Sequence, residues 1–281
     1  MNTLYTAPGC SRCRIAKMFM EGHGIAYEDL DIKGGGKDAF AQFYRDNRGT
    51  VVRGKEGIEF PILTDGKTIR QGVGRIIAYL HQGTSLDGFI GRSELSHGWM
   101  DGVHVSGGNP SLLEDLVAVL SFIKKSGLSL QIDTDGRNAS VLEKLLEQGL
   151  GDRVRMDVKA PLDLYSRMLG EEVDPAEVKK TIALVPRFPE FKFQTSIAPV
   201  VREEGNPPRI SYLAPEEVAD IARLIHEVTG SHKQPYFLQF FAPEASSDPR
   251  LTSLEKLPPN ALFSYRSAAR KWQVLTEIEK T

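Results

Sequence analysis

The chain has 281 residues, 41% hydrophobic and 26% charged, with a formal net charge of −2. That length favours two domains, and the composition suits a globular protein with a sizeable core. Near-neutral charge gives no electrostatic case for a nucleic-acid or membrane partner, and no apolar run approaches the roughly 18 residues of a spanning helix.

Residues 1–82 read as a β-α-β-α-β-β-α unit. NTLYT is a short strand that runs into Pro8-Gly9-Cys10. SRCRIAKMFMEGHG follows as a helix, with Ile15, Met18 and Phe19 at helical spacing and Gly22 and Gly24 as stop signals. AYEDLDI alternates as a strand, and KDAFAQFYRDN is a second helix with Phe40, Phe43 and Tyr44 on one face. FPILTDGKTIRQ is a hairpin turning at Asp65-Gly66, and GVGRIIAYLHQ closes the unit as a helix.

Residues 83–98, with four glycines and few core positions, are expected to be a linker. From 99 to 281, strands alternate with amphipathic helices. GVHVS, LSLQID, RVRMDV, FKFQTSIAP and YFLQFF are the strands. PSLLEDLVAVLSFIKKSG, ASVLEKLLEQG, PAEVKKTIALV and APEEVADIARLIHEVTG are the main helices. Such alternation predicts a parallel sheet or partial (β/α) barrel. REEGNPPR and DPRLTSLEKLPP read as solvated loops, and ALFSYRSAARKWQVLTEIEK as a strand turning into a docking helix.

Cys10 and Cys13 are the only cysteines. Spaced C-x-x-C after a strand and at the opening of a helix, they suit a redox dithiol. Free backbone N–H groups and the helix dipole stabilise a thiolate at Cys10, Arg12 and Arg14 add positive charge, and Cys13 lies about one turn on. Zinc would need two further ligands, and an iron–sulfur cluster usually takes four thiolates, which two chains together could supply. YTAPGCSRC and EFPILTDG make residues 2–82 resemble a glutaredoxin or related thioredoxin-like redoxin. The resemblance implies that Cys10 is the nucleophile and Cys13 resolves. It also implies that Pro61 is a cis-proline facing the pair, and that Arg12, Phe60 and Pro61 meet the substrate. The glutathione-binding stretch of that family appears only as QGVGR, without its acid. MNTLYTAPGC lacks a secretory signal, so a cytoplasmic location is expected.

GVHVSGGNPSL sets Gly107-Gly108-Asn109-Pro110 between a strand and a helix, where two glycines let a ligand approach the backbone. The next strands end in Asp133-Thr134-Asp135-Gly136 and Asp157-Val158-Lys159. In this order they resemble radical S-adenosylmethionine activating enzymes, specifically the activating proteins of anaerobic ribonucleotide reductase, over residues 99–245. The resemblance implies an S-adenosylmethionine site at Gly107, Gly108, Asn109, Pro110, Asp133, Asp135, Asp157 and Lys159, and a glycyl-radical or ribonucleotide reductase partner. Asn109 stands where that family has glutamate and Asp135 where it has asparagine. Its three cluster cysteines have no counterpart in LDGFIGRSELSHGW. Asp157 and Lys159, two apart on a strand, also read as a plain ion pair, and His97 and His104 as ordinary hydrogen-bonded residues.

The resulting expectation is an α/β protein with a thioredoxin-like (glutaredoxin) domain at 1–82, a linker at 83–98 and a partial radical-S-adenosylmethionine-type barrel at 99–281. Its expected activity is cytoplasmic dithiol–disulfide exchange at Cys10 and Cys13 on a protein or small disulfide, with no metal site. The barrel would dock a partner or hold a ligand. Two alternatives stand beside it: an iron–sulfur cluster on Cys10 and Cys13, either shared between two chains or lying at the domain interface facing the Gly-Gly loop, or a non-catalytic module that binds S-adenosylmethionine or serves as an adaptor.

Overall fold

The computed structural model describes residues 1–54, 57–91, 98–203, 205, 209–243, 248–252 and 254–279. His97 and most of the second half of the expected linker lie outside them. The chain forms two compact units, Met1–Ile132 with Lys144–Asp152, and Asp133–Glu143 with Arg153–Thr281. The division thus falls at residues other than 83–98.

The first unit opens with β1 (Asn2–Thr6), α1 (Ser11–Gly22), β2 (Tyr27–Asp31) and α2 (Lys37–Asp46). Two short strands that the sequence did not announce follow, β3 (Arg53–Gly54) and β4 (Gly57–Ile58). Then come the hairpin β5 (Ile62–Thr64) and β6 (Ile69–Gln71), and α3 (Val73–Gln82). The sheet order is β2-β1-β5-β6. β1 and β2 run parallel, whereas β5 is antiparallel to both β1 and β6. On one side Tyr5, Val51 and Ile62 pack with Phe40, Phe43 and Phe60. Ile15, Ala16, Phe19 and Met20 on α1, and Ile76 and Ile77 on α3, are buried as well.

The Asp65-Gly66 turn is built as its residue types suggest. Gly66 takes φ +90°, and the Asp65 carboxylate accepts from the Lys67 and Thr68 N–H groups and the Tyr79 hydroxyl. Those bonds, led by Thr68, hold the Asp65 carboxyl at about 2, below its ordinary 3.8. A depressed carboxyl contributes stability above its unfolded pKa and loses it as pH falls through the folded one. Asp65→Asn is therefore expected to lower stability at pH 6 and to flatten its fall between about pH 4 and 2. Denaturant titration at pH 6, 4 and 2 checks this, and an unchanged acid limb would refute it.

Residues 83–91 are not a bare connector. Leu86, Phe89 and Ile90 are buried, and Asp87 pairs with Arg70 at 3.0 Å. Ile90 forms an antiparallel bridge to Val103 in β7 (Trp99–His104), and His104 N–H donates to the Phe89 carbonyl at 2.7 Å. One of the glycines that suggest a linker, Gly88, answers a close backbone approach instead. A Cβ on Gly88 would meet the Gly107 carbonyl oxygen at 2.4 Å. After β7 come α4 (Leu113–Lys125), with Leu116, Val119, Leu120 and Ile123 buried, and β8 (Ser129–Thr134) beside β7.

β8 begins in the first unit and ends in the second, and α5 (Ala139–Glu147) begins in the second and ends in the first. The second unit continues through β9 (Arg153–Asp157), α6 (Tyr165–Leu169), α7 (Pro175–Leu184) and β10 (Glu190–Ile197). A hairpin, β11 (Pro199–Glu203) and β12 (Arg209–Tyr212), leads into α8 (Pro215–Thr229) and β13 (Tyr236–Phe240). The chain then forms α9 (Pro249–Thr252), α10 (Leu262–Ala269) and β14 (Thr276–Ile278). The end of β8 starts a strand order β8-β9-β10-β13-β14, in which β9, β10, β13 and β14 run parallel. One face is buried, with Val154, Met156, Phe193, Thr195, Tyr236 and Leu238 inaccessible to solvent. The other carries ion pairs, Arg153–Glu190, Arg155–Asp133 and Lys192–Glu279.

At the C-terminus the expected order of strand then helix is reversed. Leu262, Tyr265 and Ala269 recur at helical spacing and are buried, and the Tyr265 hydroxyl donates to the Leu213 carbonyl at 2.7 Å. The β-rich TEI that follows pairs with β13. Among the described residues no helix is long and apolar enough to cross a membrane.

Candidate functional site

Cys10 caps α1 from outside the helix. Its backbone is extended (φ −74°, ψ 104°), and its Sγ accepts the Cys13 N–H at 3.1 Å. The two cysteines are joined as a disulfide with Cα atoms 5.3 Å apart. Cys10 is half-buried and Cys13 only 2% exposed, so Cys10 is the sulfur that an incoming group meets first. The Phe60 carbonyl oxygen lies 3.8 Å from Cys10 Sγ, and the Phe60–Pro61 bond is cis.

Two neighbours fix the segment that carries Phe60 and Pro61. Gly72 N–H donates to the Pro61 carbonyl at 3.0 Å. The Gln71 amide donates to the Val52 and Glu59 carbonyls at 2.9 and 3.0 Å, and its oxygen accepts the Val52 N–H at 2.9 Å. Sequence reading missed Gln71, because nothing in its local pattern shows that it will meet residues 12 to 19 positions away. Among its contacts, the Arg12 guanidinium NH2 donates to the Trp99 carbonyl of β7 at 2.8 Å.

The residues expected to hold S-adenosylmethionine fall in both units. In the first, a Cβ on Gly108 would sit 2.1 Å from the Phe89 ring and one on Gly107 would sit 2.8 Å from the Gly88 carbonyl oxygen. Packing by residues 88–89 therefore already requires both glycines. Asn109 Oδ1 accepts the Ser111 N–H at 3.0 Å, capping a short 3-10 turn at Pro110–Leu112.

In the second unit each expected carboxylate meets a cation. Arg155 grips Asp133 with two bonds, at 2.8 and 2.9 Å. Arg137 Nε donates to Asp135 at 2.9 Å, and hydrogen bonding to Asp135 raises the Arg137 pKa. Lys159 Nζ lies 2.6 Å from Asp157, the plain ion pair that its spacing allowed. Asp157 Oδ1 and Gln194 Oε1, at paired positions on β9 and β10, are buried without a hydrogen-bond partner. The backbone of this region is pinned by Tyr165, whose hydroxyl donates to the Asp135 carbonyl at 2.5 Å, and by Thr181 Oγ1, which donates to the Gly136 carbonyl at 2.9 Å. Burial raises the Tyr165 pKa, so the phenol stays protonated as a donor.

An iron–sulfur cluster does not fit these residues. The 281 residues hold two cysteines, against the four thiolates usual for a cluster, and Cys13 is only 2% exposed. Among the described residues, no three His, Cys, Asp or Glu side chains gather as a ligand set.

No family model matches the chain. Over 178 residues it is 28% identical to a Methanocaldococcus jannaschii protein named as a glycyl-radical enzyme activating enzyme. The match covers 61% of this chain and 68% of that protein. A solved domain of pyruvate-formate lyase-activating enzyme from Bacteroides vulgatus aligns with 64% of this chain and all of its own length, at TM-score 0.43 and 14% identity.

Proposed function

We propose that the chain is a dithiol–disulfide oxidoreductase whose redox half is a thioredoxin-like unit. Its remaining length is a radical-S-adenosylmethionine-like module without its cluster, which docks a glycyl-radical enzyme partner. The observation that carries the redox reading is the Cys10–Cys13 pair at the start of α1, its outer sulfur beside the Phe60–Pro61 segment. The docking reading rests on the relative named as a glycyl-radical enzyme activating enzyme.

In the proposed reaction the Cys10 thiolate attacks one sulfur of a substrate disulfide. A mixed disulfide forms and the substrate's other sulfur leaves as a thiolate, which takes a proton from solvent. Cys13 then loses its proton and attacks Cys10 Sγ, expelling the second substrate thiol and closing the Cys10–Cys13 disulfide. Two electrons pass to the substrate, and an external thiol reductant returns them. The α1 N-terminus favours the anion at Cys10, because the Cys13 N–H already points at that sulfur. No step passes through iron or S-adenosylmethionine.

The test is redox titration of anaerobically isolated protein together with iron and sulfide analysis. A reversible two-electron couple, expected at roughly −200 to −230 mV as in glutaredoxins, in iron-free protein supports the reading. Stoichiometric iron and sulfide that depend on Cys10 would replace it with a cluster protein.

A further inference from the structure

Arg12 lies between the two cysteines, yet its side chain reaches out of the dithiol's own sheet to the Trp99 carbonyl, 87 residues along the chain. Other links join the same regions of the first unit. Phe19 on α1 meets Phe122 on α4 edge to face, with ring centres 5.1 Å apart. His81 Nε2 and Gln82 Nε2 lie 3.0 and 3.2 Å from the Asp115 carboxylate. None of those links involves a group beside the sulfurs. The Arg12 side chain stems from the first turn of α1, between the two cysteines, and one of its acceptors is the neutral Trp99 carbonyl.

In the disulfide neither sulfur is charged. Reduction by an external dithiol breaks the Sγ–Sγ bond and transfers two electrons. Cys10 becomes a thiolate, Cys13 a thiol, one proton goes to solvent and the reductant closes its own disulfide. A guanidinium gains a Coulomb attraction to a thiolate that a neutral disulfide sulfur does not offer. We infer that Arg12 is a positioning residue shared between Cys10 and β7, held by the Trp99 carbonyl in the disulfide and drawn toward the thiolate on reduction. The inference rests on the dithiol reading above. It makes the first residue of β7, the strand leading to the 105–110 loop, sensitive to the thiol state.

The chain has two tryptophans, so Trp272→Phe in the full-length protein leaves Trp99 as sole reporter. Its emission is followed through a dithiothreitol titration while free thiols are counted. Trp99 emission is expected to change in step with the two appearing thiols. Adding Arg12→Ala should abolish that step while leaving the thiol count unchanged. The same change should slow iodoacetamide alkylation of Cys10 at neutral pH by about threefold or more, because the thiolate loses a neighbouring cation. Arg12→Lys, which keeps the charge, should restore the alkylation profile. Arg12→Gln carries the same test if the alanine variant does not fold. A Trp99 signal that persists without Arg12, or an unmoved alkylation profile, overturns the inference and leaves the dithiol reading intact. A thiol count that dithiothreitol cannot change overturns both.

Discussion

Cys10→Ser is expected to bring disulfide reduction down to the uncatalysed background, whereas Cys13→Ser stops the reaction one step later. The asymmetry follows from exposure, since Cys10 is half-buried at the helix cap and Cys13 is almost wholly enclosed. Serine at position 10 cannot form the mixed disulfide. Serine at position 13 leaves that species unresolved, so a covalent adduct with the substrate accumulates and survives non-reducing electrophoresis. Reduction that persists at wild-type rate in Cys10→Ser would remove Cys10 from the chemistry. An adduct on Cys13 in that variant would reverse the two roles.

Gly108→Ala is expected to destabilise the chain by about 3 kcal/mol, at the upper end of ordinary overpacking costs. The added Cβ would lie 2.1 to 2.2 Å from three carbons of the Phe89 ring, which is fully buried and has little freedom to yield. Phe89→Ala alone should cost about 3–5 kcal/mol through the cavity it leaves. Combining the two should cost clearly less than their sum, because the smaller residue 89 makes room for the new methyl. Urea denaturation of the four proteins measures this coupling. Strict additivity would mean that Phe89 is not what requires glycine at 108.

The cysteine pair and the elements around it were legible because their signals are local. Helical spacing marks α1 and α3, the Asp65-Gly66 dipeptide marks a turn, and C-x-x-C after a strand marks the cap. Long-range partners left no such mark. Nothing near Arg12 names Trp99, and nothing near Gln71 names Val52 or Glu59. Glycines carried a second demand that sequence does not show. The four glycines of 83–98 suggested a linker and Gly107-Gly108 a ligand loop, and Gly88, Gly107 and Gly108 are also required by close contact between backbone segments and the Phe89 ring. The β11–β12 pair was hidden by the Gly- and Pro-rich sequence between its strands, and the end of the chain by aromatic residues that serve a strand or a helix equally well.

The interleaved course of the two units bears on what can be cut from this protein. Residues 144–152 return to the first unit after 133–143 have joined the second, so neither unit is a single contiguous stretch. A fragment ending at residue 82 would lose Phe122 from beside Phe19 and Asp115 from beside His81 and Gln82. A redox half cut at that point would bare the apolar flank of α1 where Phe19 meets Phe122. The dithiol and the start of the glycine-loop region belong to one unit of the structure.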